Sequence, residues 1–207
     1  MVRALGLRCG APLTYTDSTL FVPRFDRRRV SDGVERLGME SLYSLLGEVE
    51  PGAAVELGRA ARALAEVVDD PHADVLEFVC RDAAALAMGN TDNHGRNTSV
   101  LKPPEGGIVL SPVYDFAPMF HDRGVVKRTL TWRSEPPGEP PDWEDVCQQL
   151  APVLPGDILR PHLRALGERI AALPELMADC GVDAHLIALR LRWITRVAEG
   201  LCAVKGG

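Results

Sequence analysis

The chain has 207 residues, 46% of them hydrophobic and 25% charged, which is the make-up of a globular domain with room for a real core. A net charge of −6 argues against the broad basic face that direct nucleic-acid binding needs. Cys9, Cys80, Cys147, Cys180 and Cys202 are scattered and odd in number, so neither a disulfide framework nor a zinc site is expected. No stretch reaches the length of a membrane span and no signal peptide is evident, so a cytoplasmic protein with no membrane partner is expected.

In chain order, Leu13-Thr14-Tyr15 and Leu20-Phe21-Val22 flank Asp17-Ser18 and predict a β-hairpin. Glu40–Leu46 reads as a short helix ended by Gly47. Val55–Val68 repeats apolar residues at helical intervals. Asp70 and Pro71 start another helix, as N-cap and first helical residue. Its apolar face is Val75, Leu76, Val79, Ala83, Leu86 and Ala87, with Cys80 as a small core residue. This helix delivers the chain to Asn90. Next, Thr98–Lys102 and Ile108–Leu110 are β-prone runs on either side of the turn Pro103-Pro104-Glu105-Gly106-Gly107, so a second hairpin is predicted. Ser134–Pro141 is a Pro-rich connector, expected to be extended and mobile. Asp142–Leu150, Asp157–Leu173 and Asp183–Val204 read as amphipathic helices. Arg190, Arg192 and Arg196 fit a solvated helix face, and Trp132, Trp143 and Trp193 fit packing anchors. His72, His121, His162 and His185 are isolated and receive no chemical role. The fold class is therefore α+β and predominantly helical.

Chemistry concentrates in two places. Gly89-Asn90-Thr91-Asp92-Asn93-His94-Gly95-Arg96-Asn97 offers an Asp and, five residues on, an Asn. Beyond the second hairpin, Tyr114-Asp115-Phe116 offers another Asp. Protein kinases use this order: an Asp takes the proton of the accepting hydroxyl, and an Asn and a later Asp hold Mg²⁺ against the ATP phosphates. Mg²⁺ wants hard oxygen ligands and takes few carboxylates, which suits Asn97 and Asp115 and leaves Asp92 free. An antiparallel return would bring Asp115 back to the Asp92 loop. Two other readings stand beside this one. The first string is also a good polar turn, and Asp92, His94 and Asp115 could form a metallohydrolase site, although no further His or Cys lies at ligand spacing.

Three blocks resemble the HipA-type serine/threonine kinases of bacterial toxin–antitoxin systems. Leu20–Arg27 is similar to that family's hinge between lobes, Gly89–Asn97 to its catalytic loop, and Leu110–Pro118 to its metal loop. Leu37–Leu42 fits the helix after the hinge. The wording Asp-Asn-His-Gly-Arg-Asn and the ending Asp-Phe-Ala-Pro look most similar to the YjjJ-like (HipH) branch. The resemblance implies a kinase-like C-lobe over residues 31–207, with residues 1–30 as hinge and remnant of an N-lobe. It implies Asp92 as catalytic base and Asn97 and Asp115 as Mg²⁺ ligands. It places Pro23, Arg24 and Phe25 at adenine, Asp26 and His94 at ribose, and Arg96 and Tyr114 at the nucleotide. Pro23 replaces an acidic residue, and Arg96 a more usual Lys.

The implied activity is ATP- and Mg²⁺-dependent phosphorylation of a protein Ser/Thr hydroxyl; known members act on aminoacyl-tRNA synthetases. A kinase N-lobe also needs a phosphate-covering glycine loop and a Lys before the hinge, yet no Lys occurs before Lys102. The chain therefore reads as a catalytic lobe whose N-lobe is missing or comes from a partner chain. The alternative is a non-catalytic module that binds an antitoxin or regulator. A small-molecule phosphotransferase of the aminoglycoside kind fits less well, because there His precedes the Asp.

Overall fold

The structure, a computed structural model, describes residues 1–121, 127–133 and 135–206. It opens with turns that bury Leu5 and Leu7 in the main core. Arg8 fastens this segment. Its guanidinium meets Asp74 at 2.8 Å and the Leu110 carbonyl at 2.8 Å. So residues 1–9 pack into the lobe, whereas the next element stands off it. The predicted hairpin forms as β1 (Thr14–Thr16) and β2 (Thr19–Phe21), with Tyr15 opposite Leu20. Asp17 and Ser18 turn it with φ of 47° and 60°. A second hairpin, β3 (Arg27–Val30) and β4 (Gly33–Arg36), follows directly.

Leu37–Ser41 corrects the sequence reading. Instead of helix, Gly38–Ser41 is strand β5, and only Leu42–Leu45 forms a helix, α1, capped by Ser41. The reason is tertiary. β5 pairs antiparallel with β7 (Ser99–Lys102), which pairs in turn with β8 (Val109–Leu110). Between them run β6 (Val55–Glu56), α2 (Leu57–Val67) and α3 (Pro71–Met88). α3 starts as its sequence predicts, with Asp70 accepting from the Ala73 amide and Pro71 inside the first turn. It is the buried axis of the lobe, covered on nearly every side from Asp74 to Met88.

After the metal-loop block comes β9 (Leu130–Thr131), parallel to β6. The helical remainder is α4 (Trp143–Leu150), α5 (Gly156–Ala171), α6 (Leu173–Asp179) and α7 (Ala184–Cys202). α7 packs on α3 and α5 and completes the core with Ile194, Val197 and Leu201. In the Pro-rich connector, Ser134 lies outside the described residues, Glu135 is held by Arg128 and by the Trp132 amide, and Pro136–Glu139 forms a turn. Among the described residues, no helix is long and apolar enough to cross a membrane.

Candidate active site

α3 ends where the chemistry begins. Gly89 adopts φ 76°, and the Asn90 amide donates to the Ala85 carbonyl at 2.9 Å, closing the helix with a left-handed glycine. Asp92–Asn97 then folds on itself. The His94 amide donates to the Asp92 carbonyl at 3.0 Å and the Asn97 amide to the His94 carbonyl at 2.9 Å. The Asn97 side chain closes the loop: its Nδ2 donates to the same Asp92 carbonyl at 3.0 Å. That bond engages Nδ2, and among the described residues Oδ1 accepts no hydrogen bond.

His94 is held on both sides. Its Nδ1 accepts from the Arg96 amide at 3.3 Å, so the neutral ring carries its proton on Nε2. Nε2 lies 3.9 Å from Asp92 Oδ1. The ring lies over Tyr43, with centroids 6.4 Å apart. Tyr43 also explains Gly95. A Cβ there would sit 2.1 Å from a Tyr43 ring carbon, and the Tyr43 amide donates to the Gly95 carbonyl. Only glycine lets the loop lie this close to a buried ring.

The metal-loop block reaches this loop through Tyr114. Its hydroxyl donates to the Arg96 carbonyl at 2.5 Å and lies 2.6 Å from the Ser99 hydroxyl. Burial raises its pKa, the Ser99 bond opposes this, and the Asp115 charge adds to it. The Phe25 ring packs on Tyr114 at 5.4 Å. So one tyrosine joins the putting-together of hinge block, catalytic-loop block and metal-loop block. Asp115 itself is exposed and has φ 50°, a left-handed backbone that a non-glycine residue adopts at a cost.

The hinge residues are less uniform. Pro23 and Arg24 are exposed and Phe25 is half-buried. Asp26 accepts both Arg24 nitrogens, at 2.6 and 2.5 Å, and Arg27 lies 3.7 Å away. The Arg24 hydrogen bonds hold its carboxyl below the usual Asp range. Asp26 is thus already engaged, and a ribose hydroxyl would have to share it with Arg24.

Sequence reasoning missed the supports. Asp82 on α3 is fully buried and accepts from Trp132 Nε1 at 2.9 Å and from Arg128 at 3.1 Å. Asn93 Nδ2 reaches the same carboxylate at 3.4 Å. The segment after the metal loop and the catalytic loop therefore share one anchor. The charged pair Arg81-Asp82 inside a largely apolar helix was the available signal. Tyr43 and Ser99 gave none. Among the described residues no three His, Cys, Asp or Glu side chains gather as a metal-ligating group. A surface hollow of about 370 Å³ near Glu139, Arg196 and Glu199 lies away from all three blocks.

Comparison with known proteins adds the family. Residues 1–175 match the family described as HipA-like C-terminal domain. The chain belongs to the HipA-like C-terminal domain family. It is 35% identical over 102 residues to the Sinorhizobium fredii protein named Putative kinase Y4mE, covering 46% of this chain and 24% of that protein. Its fold matches a chain from the Shewanella oneidensis MR-1 toxin–antitoxin complex of HipA, HipB and operator DNA. The TM-score is 0.69 at 18% identity, over 98% of this chain and 53% of that one. The chain therefore spans about half or less of the relatives it matches.

Proposed function

We propose that this HipA-like lobe transfers the terminal phosphoryl group of ATP, with Mg²⁺, to a Ser or Thr hydroxyl of a protein. The convergence on Tyr114 carries the reading: its hydroxyl, ring and chain neighbours bring residues 25, 96 and 115 into one neighbourhood. The donor set suits the metal. Asn97 Oδ1 accepts no hydrogen bond among the described residues, and Asp115 is an exposed carboxylate on a strained residue. When bound there, Mg²⁺ would neutralise charge on the phosphate oxygens. Asp92 accepts the proton of the attacking hydroxyl, while the Nε2–H of His94 faces the Asp92 carboxylate and steadies its charge. Pro23, Arg24 and Phe25 receive adenine, Asp26 and His94 the ribose, and Arg96 and Tyr114 flank the phosphates.

A cytoplasmic location and an antitoxin-type partner, like the HipB of the Shewanella complex, fit this reading. Calorimetry tests the site directly. ATP should bind with Mg²⁺ and lose most of that affinity without it or in Asp115→Ala. Metal-independent ATP binding, unchanged in Asp115→Ala, would contradict the assignment. A second reading is a non-catalytic module that binds an antitoxin or regulator, favoured by the Asp26 carboxylate being already taken up by Arg24. That reading predicts partner capture unaffected by Asp92→Asn and no labelled phosphate on any protein.

A further inference from the structure

Arg190 is a buried cation that meets no carboxylate among the described residues. It sits on α7, only 7% exposed, beyond the residues that match the family. Its Nε donates to the Ala87 carbonyl at 2.8 Å and its Nη2 to the Leu86 carbonyl. These are among the last carbonyls of α3, which have no partner within the helix and carry the negative end of its dipole. The guanidinium also stacks on Phe120, at 5.4 Å, and on Trp193, at 5.0 Å. Gly89 lies against it: a Cβ there would come within 3.0 Å of Arg190 and 2.7 Å of Phe120. The Gly89 carbonyl in turn accepts from the Met119 amide at 2.8 Å. Burial lowers the Arg190 pKa to about 10, still cationic at neutral pH.

We propose that Arg190 is a positioning residue for phosphoryl transfer: from α7 it locks the end of α3, the start of the catalytic loop and the tail of the metal loop into one geometry. The planar fork fits this task, since it serves two carbonyls while its carbon lies over two rings. A helix cap alone would need neither Phe120 nor the Gly89 contact. Arg190 touches no substrate in this scheme. It acts through Gly89 and Phe120 on Asp92 and Asp115, and so rests on the reading of those loops as catalytic and metal loops.

Hydrogen exchange on the full chain tests the lock without any need for activity. In Arg190→Met, amides of residues 86–97 and 117–121 should exchange at least tenfold faster, while those of α5 stay within twofold. Arg190→Lys should recover part of the protection, because an ammonium reaches the carbonyls but cannot stack as a plane. Gly89→Ala should loosen the same two segments with no loss of charge, and Arg196→Met, on the exposed face of α7, should loosen neither. Exchange that rises evenly through the chain, or not at all in the two segments, would overturn the proposal; if Arg190→Met does not fold, Arg190→Lys and Gly89→Ala decide. In phosphoryl transfer by the protein joined to an N-lobe, Arg190→Lys should lower kcat with the KM for ATP within threefold. Equal loss in both would reduce Arg190 to general stability, whereas no transfer by the wild type would count against the kinase reading and leave the exchange result standing.

Discussion

Asp92 and Asn97 are bound to each other through a single backbone carbonyl, yet they are assigned different work. Asp92→Asn keeps shape and removes the proton acceptor, so labelled-phosphate transfer should fall by at least about a hundredfold while ATP–Mg²⁺ affinity stays within a few-fold. Asp115→Ala should instead abolish the metal-dependent part of that affinity. Equal loss of binding in both variants would contradict the division of roles. Asp26 allows a pH test. Its folded pKa lies below the ordinary value of 3.8, through Arg24. The stability this confers is full above that ordinary value and is lost as pH falls through the folded pKa. Carboxyl NMR should show Asp26 titrating below free Asp, and Arg24→Ala should move it upward. An Asp26 midpoint unchanged by Arg24→Ala would rule out the pairing. Arg24 is well exposed, so the effect on overall stability is small.

Elements show which parts of the fold were legible. α3 was readable at its start because its signals are local: Asp70 and Pro71 act within one turn. The β7–β8 hairpin was readable for the same reason, since Pro103–Gly107 can only turn. β5 was not, because Gly38–Ser41 becomes a strand only by pairing with Ser99–Lys102, some sixty residues on. β3 and β4 were missed although Ser31-Asp32-Gly33 carried a usable turn signal. The catalytic wording was plain, but Arg190 read as solvated because helical spacing cannot show which carbonyls lie opposite. The buried Asp82 network yields an element-scale prediction. Asp82→Ala leaves Arg128 and the Trp132 N–H facing an empty place, so it should destabilise by about 3 kcal/mol or more in urea unfolding. A change under about 1 kcal/mol would mean water replaces the carboxylate without loss. Gly95→Ala should also destabilise, by roughly 1–3 kcal/mol, because Tyr43 is buried and cannot yield freely.

At the scale of the whole molecule, the proposed reading gives these 207 residues nucleotide and metal ligands, while no Lys among them precedes Lys102 to meet the phosphates. Phosphates that face solvent are weakly held, and their alignment supplies much of the rate in this chemistry. The chain by itself should therefore bind ATP–Mg²⁺ weakly and transfer little phosphate. On the same reading, an N-lobe would sit against β1 and β2. Leu13, Tyr15, Leu20 and Val22 lie on one face of that hairpin, each more than half exposed. An N-lobe supplied in cis or in trans should slow exchange in residues 13–22 as it restores activity; restored activity with no such protection would place its contact elsewhere. The most direct measurement is transfer of labelled terminal phosphate from ATP to protein by the chain joined to a HipA-type N-lobe, with wild type, Asp92→Asn and Asp115→Ala side by side. The account predicts Mg²⁺-dependent labelling of Ser or Thr by the wild type, none by either variant, and ATP–Mg²⁺ binding retained only in Asp92→Asn. Labelling that persists in Asp92→Asn, or fails to appear in a wild type that binds ATP–Mg²⁺ tightly, would contradict it.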